Sequence, residues 1–346
     1  MKVELFVKEL LNGRDYRGQA VAIRHLPARK ATYAEPGDGI LPELQVALSQ
    51  MGIERLYTHQ ATAIDNVRAG RNVVIVTSTA SGKTLCYNLP VLEALLQDPT
   101  SKALYVFPTK ALAQDQLQGL LRWQSLMPSL PLAAGTYDGD TPRDLRRKLR
   151  EQGNIILTNP DMLHGAILPH HPSWGHFFAN LRFIVIDEIH TYRGIFGSNV
   201  ANVLRRLERI CHHYQANPQF ICCSATIANP TELAQRLTGQ EMTLVENDGS
   251  PKGQKHFLLW NPPLLSDGLE RRSANSEAKE LMVRLLRQRI QTITFTRARV
   301  VAELIYRYVR EELGRYGSGL ANSIRAYRGG YLPEERRAIE KQLFSG

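Results

Sequence analysis

Five short runs of nearly unbroken apolar residues constrain this chain most. They are NVVIVT (Asn72 to Thr77), ALYVF (Ala103 to Phe107), NIILT (Asn154 to Thr158), RFIVID (Arg182 to Asp187) and QFICCS (Gln219 to Ser224). A strand with one wet face alternates polar and apolar side chains. These runs do not alternate, which is the pattern of parallel strands covered by helices on both faces. Amphipathic stretches separate them. After Ser198, a candidate N-cap, Val200, Val203, Leu204, Leu207, Ile210 and Cys211 share one face at helical spacing, while Arg205, Arg206 and Arg209 take the other. Strand, helix, strand, repeated, predicts an α/β doubly wound sheet.

The alternation is interrupted at ENDGSPKGQK (Glu246 to Lys255), dense in Gly, Pro and polar residues, and then restarts. Strands are expected at HFLLW, at TITFT (Thr292 to Thr296) and near Ser323 to Tyr327. Helices are expected around Glu277 to Gln288, Arg299 to Glu312 and Glu334 to Phe344. The expected division is an N-terminal extension over 1–40, a first α/β domain over 41–247 and a further α/β domain over 248–346. With about three strands against the usual five to six, the latter is expected to be incomplete.

A chain of 346 residues, 43% hydrophobic and 22% charged, has the length for two domains and the apolar mass for their cores. No apolar run is long enough for a spanning helix, and the charged N-terminus lacks a secretory signal's apolar stretch. Four cysteines in this length make no disulfide framework, so the expected compartment is the reducing cytoplasm. The net charge of +10 is uneven: from Arg271 to Gly346 there are sixteen basic and eight acidic residues, and Arg143 to Arg150 form a second basic cluster. Such asymmetry suits a polyanion, most often nucleic acid, although any single cluster can equally be a solvated helix face.

Three segments carry chemistry. The run ending at Thr77 leads directly into Ser78-Thr79-Ala80-Ser81-Gly82-Lys83-Thr84 and then a helical pattern. In a strand–loop–helix phosphate loop, backbone N–H groups and the helix N-terminus surround the β-phosphate, here over Thr79, Ala80, Ser81 and Gly82. Lys83 would reach the β- and γ-phosphates, and the Thr84 hydroxyl would hold Mg²⁺. The first position departs from the general G-x-x-x-x-G-K-T, being Thr77. The run RFIVID ends in Asp187-Glu188-Ile189-His190, a carboxylate pair at the C-terminal edge of a buried strand, where α/β sheets bind ligands. Asp187 would hold Mg²⁺ through water and Glu188 would polarise the attacking water. The third segment, Ser224-Ala225-Thr226, matters only through its place after the next strand.

In this order and spacing the three segments resemble the superfamily 2 helicases of the DEAD/DEAH-box type. Gln60 in LYTHQ lies where that family's Q motif recognises adenine. Thr109 and Lys110 in FPTKAL, and Thr158 in TNPD, match its nucleic-acid-contacting motifs. Arg297 and Arg299 in TFTRAR match those of its second domain. The phrases LYTHQ, TSTASGKT, DEIHTYRGIFGSNVANVLRRL, DGSPKGQKHFLLWNPP and YRGGYLPEERRAIEKQLFSG are similar to the bacterial YprA/MrfA branch, with its C-terminal DUF1998 region, from about Arg17 onward. The resemblance implies two RecA-like domains and a catalytic set of Lys83, Asp187, Glu188 and His190. It implies ATP and Mg²⁺ as cofactors, with Ser224 and Thr226 coupling hydrolysis to grip. It further implies 3′ to 5′ movement on single-stranded DNA and a role in DNA repair. The family's Q-x-x-G-R-x-G-R motif does not occur in these 346 residues, so an N-terminal fragment is expected. Two rival readings stand beside this one: an RNA helicase with the same core, and a non-catalytic ATP-dependent nucleic-acid-binding module if the natural chain ends at Gly346.

Several smaller signals admit two readings. Cys222 and Cys223 invite zinc, but adjacent strand residues face opposite ways, which favours buried thiols. Gly194 and Gly197 mark either a loop that touches DNA or the turn into a helix. Tyr57 is either an adenine stack or a core residue.

Overall fold

The structure, a computed structural model, describes residues 2–265, 268–315 and 319–345. In chain order its principal elements are α1 (Lys2–Asn12), β1 (Ala20–Leu26), α2 (Pro42–Gln50), α3 (Thr58–Arg68), β2 (Val73–Val76), α4 (Lys83–Gln97), β3 (Lys102–Val106), α5 (Lys110–Leu126), β4 (Ala134–Thr136), α6 (Arg143–Gln152), β5 (Ile155–Thr158), α7 (Pro160–Met162), α8 (Gly175–Ala179), β6 (Leu181–Ile186), α9 (Gly194–His213), β7 (Gln219–Ser224), α10 (Pro230–Thr238), β8 (Thr243–Val245), β9 (Lys255–Trp260), α11 (Ala274–Arg287), α12 (Arg299–Gly314) and α13 (Pro333–Ser345). They form two compact units. One comprises residues 29–252, the other 1–28 together with 253–346. The chain crosses between them inside the Gly- and Pro-dense stretch, and the first 28 residues group with the second unit.

The larger unit holds a seven-stranded sheet in the order β4-β5-β3-β6-β7-β2-β8. Every pairing is parallel. Alternate residues feed two separate cores. Val73, Ile75, Tyr105, Ile155, Val185 and Cys223 meet α2, α3, α4 and α5 on one face. Val74, Leu104, Ile156, Ile184 and Cys222 meet α8, α9 and α10 on the other. Complete burial of the central strands explains why their sequences read as unbroken apolar runs. It also sends the adjacent cysteines to opposite faces as free, buried thiols, with burial pushing the Cys222 pKa up to about 12. This is the doubly wound, RecA-like sheet that the resemblance implies.

Helix α9 begins four residues before Ser198. Gly194 takes a left-handed φ of 57° at the turn, and Ser198 donates its hydroxyl to the Gly194 carbonyl from within the helix. At Gly197 a Cβ would lie 2.4 Å from the Tyr192 carbonyl, so the close approach of turn and helix requires glycine.

The smaller unit differs more from expectation. HFLLW does form a strand, β9, but it pairs antiparallel with β1, from Ala20↔Trp260 to Leu26↔Lys255. Thr292–Thr296 and Ser323–Tyr327 are not strands. The first has no regular structure and no ladder partner, and the second straddles the end of a 3₁₀ turn. A strand is stable only when a neighbour takes its N–H and C=O groups, and among the described residues neither segment has one. Ile293 and Phe295 consequently lie 57% and 89% exposed. Helices α11 and α12 enclose a small core of Val283, Ile305, Val309 and Leu313. Helix α1 lays Phe6, Val7 and Leu10 against Leu258, Trp260, Leu281 and Leu285. No helix is long and apolar enough to cross a membrane among the described residues.

Candidate nucleotide site

Strands β6, β7 and β2 are consecutive in the sheet, and their C-terminal ends carry Asp187-Glu188, Ser224 and the phosphate loop. The loop leaves β2 at Thr77, whose hydroxyl lies 2.6 Å from that of Ser81. Ala80 and Gly82 then take left-handed φ values of 59° and 77°, and α4 begins at Lys83. Gly82 meets that conformation without penalty; Ala80 does not, and a non-glycine residue there stores backbone strain. Thr79, Ala80 and Gly82 are exposed, Ser81 is buried, and Thr84 is half-buried on the first turn of α4. The Lys83 ammonium donates to the carbonyls of Thr77 and Ser78 at 3.1 and 3.0 Å. The loop is thus closed on its own lysine.

Gln60 is 2% exposed and braces this loop. Its Nε2 donates to the Gly82 carbonyl at 3.0 Å, and its Oε1 accepts from the Tyr57 backbone N–H at 2.8 Å, capping α3. A Cβ at Gly82 would lie 2.6 Å from Gln60 Nε2. Tyr57, half-buried, stacks between Tyr33 and His59 with centroids 5.5 and 5.9 Å away.

Asp187 accepts from the Glu188 N–H at 2.8 Å and from the Tyr87 hydroxyl at 3.3 Å. Burial raises its pKa and the neighbouring Glu188 adds to this. The hydrogen bond from the Glu188 N–H and the charge of Lys83 act the other way. A carboxylate held up in this manner is short of positive charge. Glu188 has φ 53° and ψ 43°, a left-handed conformation that glutamate adopts only under constraint. Its Oε2 sits 3.1 Å from His190 Nδ1 but off hydrogen-bond geometry, and is buried without a hydrogen-bond partner among the described residues. The Ala225 N–H also points at His190 Nδ1, at 3.4 Å. His190 thereby ties the end of β6 to Ser224-Ala225-Thr226 after β7. The Ser224 hydroxyl is buried with no partner among the described residues, whereas Thr226 is exposed.

The residues matched to nucleic-acid contacts are placed differently from one another. Thr109 and Lys110 are exposed at the start of α5. Thr109 caps the helix by accepting from the Leu112 N–H, and Lys110 pairs with Asp140 at 2.8 Å. Thr158 is 1% exposed and donates to the Tyr137 carbonyl at 2.8 Å, so its side chain is not presented at the surface. Arg297 and Arg299 are exposed in the other unit, before and at the first residue of α12. Two residues of the site carry no motif in the sequence. Tyr87 touches Asp187, and Asp248 accepts from the Ser78 N–H and hydroxyl.

The Ser78–Thr84 loop after β2, the carboxylate pair after β6 and the Ser224-Ala225-Thr226 segment at the end of β7 lie together on one edge of a RecA-like helicase sheet. The DEAD/DEAH box helicase family matches residues 57–233, and the chain belongs to that family. Over 343 residues it is 50% identical to the uncharacterized ATP-dependent helicase YprA of Bacillus subtilis, covering 98% of this chain and 45% of that protein. It is 42% identical to the ATP-dependent helicase HRQ1 of Saccharomyces cerevisiae, covering 98% of this chain and 32% of HRQ1. The crystal structure of the DUF1998 helicase MrfA bound to DNA and AMPPNP is similar at TM-score 0.91 and 49% identity, over 98% of this chain and 46% of that one. The chain therefore spans less than half the length of these relatives.

Proposed function

We propose that the chain supplies the nucleotide-hydrolysing core of an ATP-dependent DNA helicase. The observation that carries this reading is the convergence of Lys83, Asp187-Glu188 and the Ser224-Ala225-Thr226 segment on three adjacent strand ends. Lys83 would exchange the Thr77 and Ser78 carbonyls for the β- and γ-phosphates, beside the N–H groups of the loop. The residues fit Mg²⁺: hard oxygen donors at Thr84 and Asp187, and a carboxylate whose raised pKa a cation would relieve. Mg²⁺ dehydrates reluctantly and is commonly held by one or two protein oxygens together with substrate phosphates and water, so these two donors would suffice. Mg²⁺ would neutralise developing charge on the phosphates. Glu188, with a free buried oxygen, would accept the proton of the attacking water.

DNA is favoured over RNA because MrfA, the relative similar over nearly all of this chain, was crystallised with DNA. Polarity from 3′ to 5′, a single-stranded track and a place in repair rest on the resemblance alone. The grip would be chiefly on phosphates, through Thr109, Lys110, Arg297 and Arg299, with weak sequence preference. Lys83→Ala should abolish ATP–Mg²⁺ binding, measured calorimetrically, while leaving the melting temperature unchanged. Retained binding in the folded variant would refute the site. ATPase stimulation by DNA and by RNA oligomers, compared in a full-length relative, separates the two nucleic acids.

A further inference from the structure

The phosphate loop is held at both ends. Gln60 holds its C-terminal end at Gly82. The N-terminal end is held by a residue 170 positions further along the chain. Strands β2 and β8 pair in parallel with Val73↔Thr243 and Ile75↔Val245. Continued past the strand ends, that register brings Ser78 opposite Asp248. The Asp248 carboxylate accepts from the Ser78 N–H at 3.2 Å and from its hydroxyl at 2.7 Å.

This carboxylate is built in rather than incidental. Its side chain is only 9% exposed. Its other oxygen accepts from the Ser250 N–H and hydroxyl at 3.0 and 2.6 Å. Lys252 pairs with it at 3.1 Å and Arg29 at 3.5 Å. Burial works to raise its pKa, but the hydrogen bonds from Ser250, Ser78 and Lys252 outweigh burial and hold the carboxyl well below the usual range. The turn that carries it is stitched to the segment bearing Gln60. Gly249 N–H donates to His59 Nδ1 at 3.2 Å, its carbonyl accepts from Thr32 N–H, and the Thr58 hydroxyl donates to the Asn247 carbonyl. A Cβ at Gly249 would fall 2.4 Å from Thr58 Oγ1 and 2.6 Å from the Thr32 carbonyl, so only glycine seats this turn.

We propose that Asp248 is a positioning residue of the ATP site: through Ser78 it fixes the first residues of the phosphate loop, and with Gln60 it holds the loop backbone at both ends. The inference rests on the ATP-site reading above. Binding a phosphate with preset N–H groups avoids the cost of ordering them on contact, so the clamp belongs to affinity.

ATP–Mg²⁺ affinity of the intact chain, measured by calorimetry beside its melting temperature, tests this. Asp248→Ala should weaken binding about tenfold, within the range of a hydrogen bond to a charged group. Ser78→Ala should weaken it less, and the double variant no more than Asp248→Ala alone. Asp248→Asn, which keeps an acceptor for the Ser78 N–H, should restore most of the affinity. Unchanged affinity in folded Asp248→Ala, or additive effects of the two substitutions, would overturn the proposal. If Asp248→Ala does not fold, the same cycle is run with Asp248→Asn and Ser78→Ala: non-additivity supports the clamp and additivity overturns it. Lys83→Ala separates the two claims. Normal ATP binding by that variant sinks the ATP site itself. Loss of binding there, with Asp248→Ala unaffected, sinks the clamp alone.

Discussion

Two adjacent carboxylates at the end of β6 are held in opposite ways, and the difference divides their work. Asp187 is half-buried with its pKa raised by desolvation, so the fold disfavours its ionised form. A carboxyl raised in the folded state contributes stability below its unfolded pKa, and that contribution is lost as pH rises through the folded value. The ionised form of Asp187 is therefore a cost that a cation would remove. Asp187→Asn should raise the melting temperature of the nucleotide-free chain by a few degrees at most, because about 1 kcal/mol moves a domain of this size ~2–4 °C. The Tyr87 hydroxyl, already within 3.1 Å of Gln116 Oε1, can turn to accept from the new amide. Mg²⁺-dependent stabilisation by ATP should disappear in the same variant. A lower melting temperature would mean that the charge is internally compensated. Glu188 has instead one buried oxygen without a hydrogen-bond partner among the described residues, 3.1 Å from His190 Nδ1, and on the reading proposed above it would take the proton of the attacking water. Glu188→Gln should keep ATP binding and slow single-turnover hydrolysis by about 10²–10⁴-fold, the usual worth of a general base. Loss of binding together with hydrolysis would assign Glu188 a structural part.

Elements are legible in the sequence to the degree that burial writes them there. The five central strands are covered on both faces and read as apolar runs, and the three reactive segments sit at their ends because motif and strand adjoin. β4 and β8, three residues each at the sheet edges, are too short to stand out as runs. β1 gives no sequence signal of its pairing, because its partner β9 lies more than 200 residues away and the pair has exposed faces. Asp248 reads as part of a polar boundary because only the β2–β8 register shows what it faces. Thr292–Thr296 misleads for the opposite reason: its β-branched and aromatic residues favour a strand, but without a partner strand the preference goes unused. That leaves Ile293 and Phe295 bare, with Val300 69% exposed on α12. Large apolar side chains exposed in one stretch of sequence favour self-association. Phe295→Lys should shift the chain toward monomer in sedimentation velocity at tens of micromolar, with the melting temperature unchanged. An unaltered size distribution would show that this segment is not what associates.

At the scale of the whole molecule, nucleotide binding and nucleotide turnover draw on different amounts of chain. Gln60, the phosphate loop, Lys83, Thr84, Asp187 and Glu188 all lie within residues 29–252, one compact unit with its own two-faced core. On the reading proposed above, what binding needs is therefore local. Turnover in this family also draws on an arginine from the Q-x-x-G-R-x-G-R motif, and no such stretch occurs in these 346 residues; Gly314-Arg315-Tyr316-Gly317 lacks the glutamine. Such an arginine is worth about 10³–10⁵ in rate where phosphoryl transfer has been dissected. Mg²⁺ and the loop lysine would remain, and they act on bound nucleotide in the ground state as well as in the transition state. The 346-residue chain should accordingly bind ATP–Mg²⁺ with measurable affinity yet show almost no DNA-stimulated hydrolysis and no strand separation. The measurement is calorimetric binding set beside phosphate release with and without single-stranded DNA. Brisk stimulated release by this chain would show that the charge on the γ-phosphate is met from within these residues, and the exposed Arg297 and Arg299 would be the first to substitute.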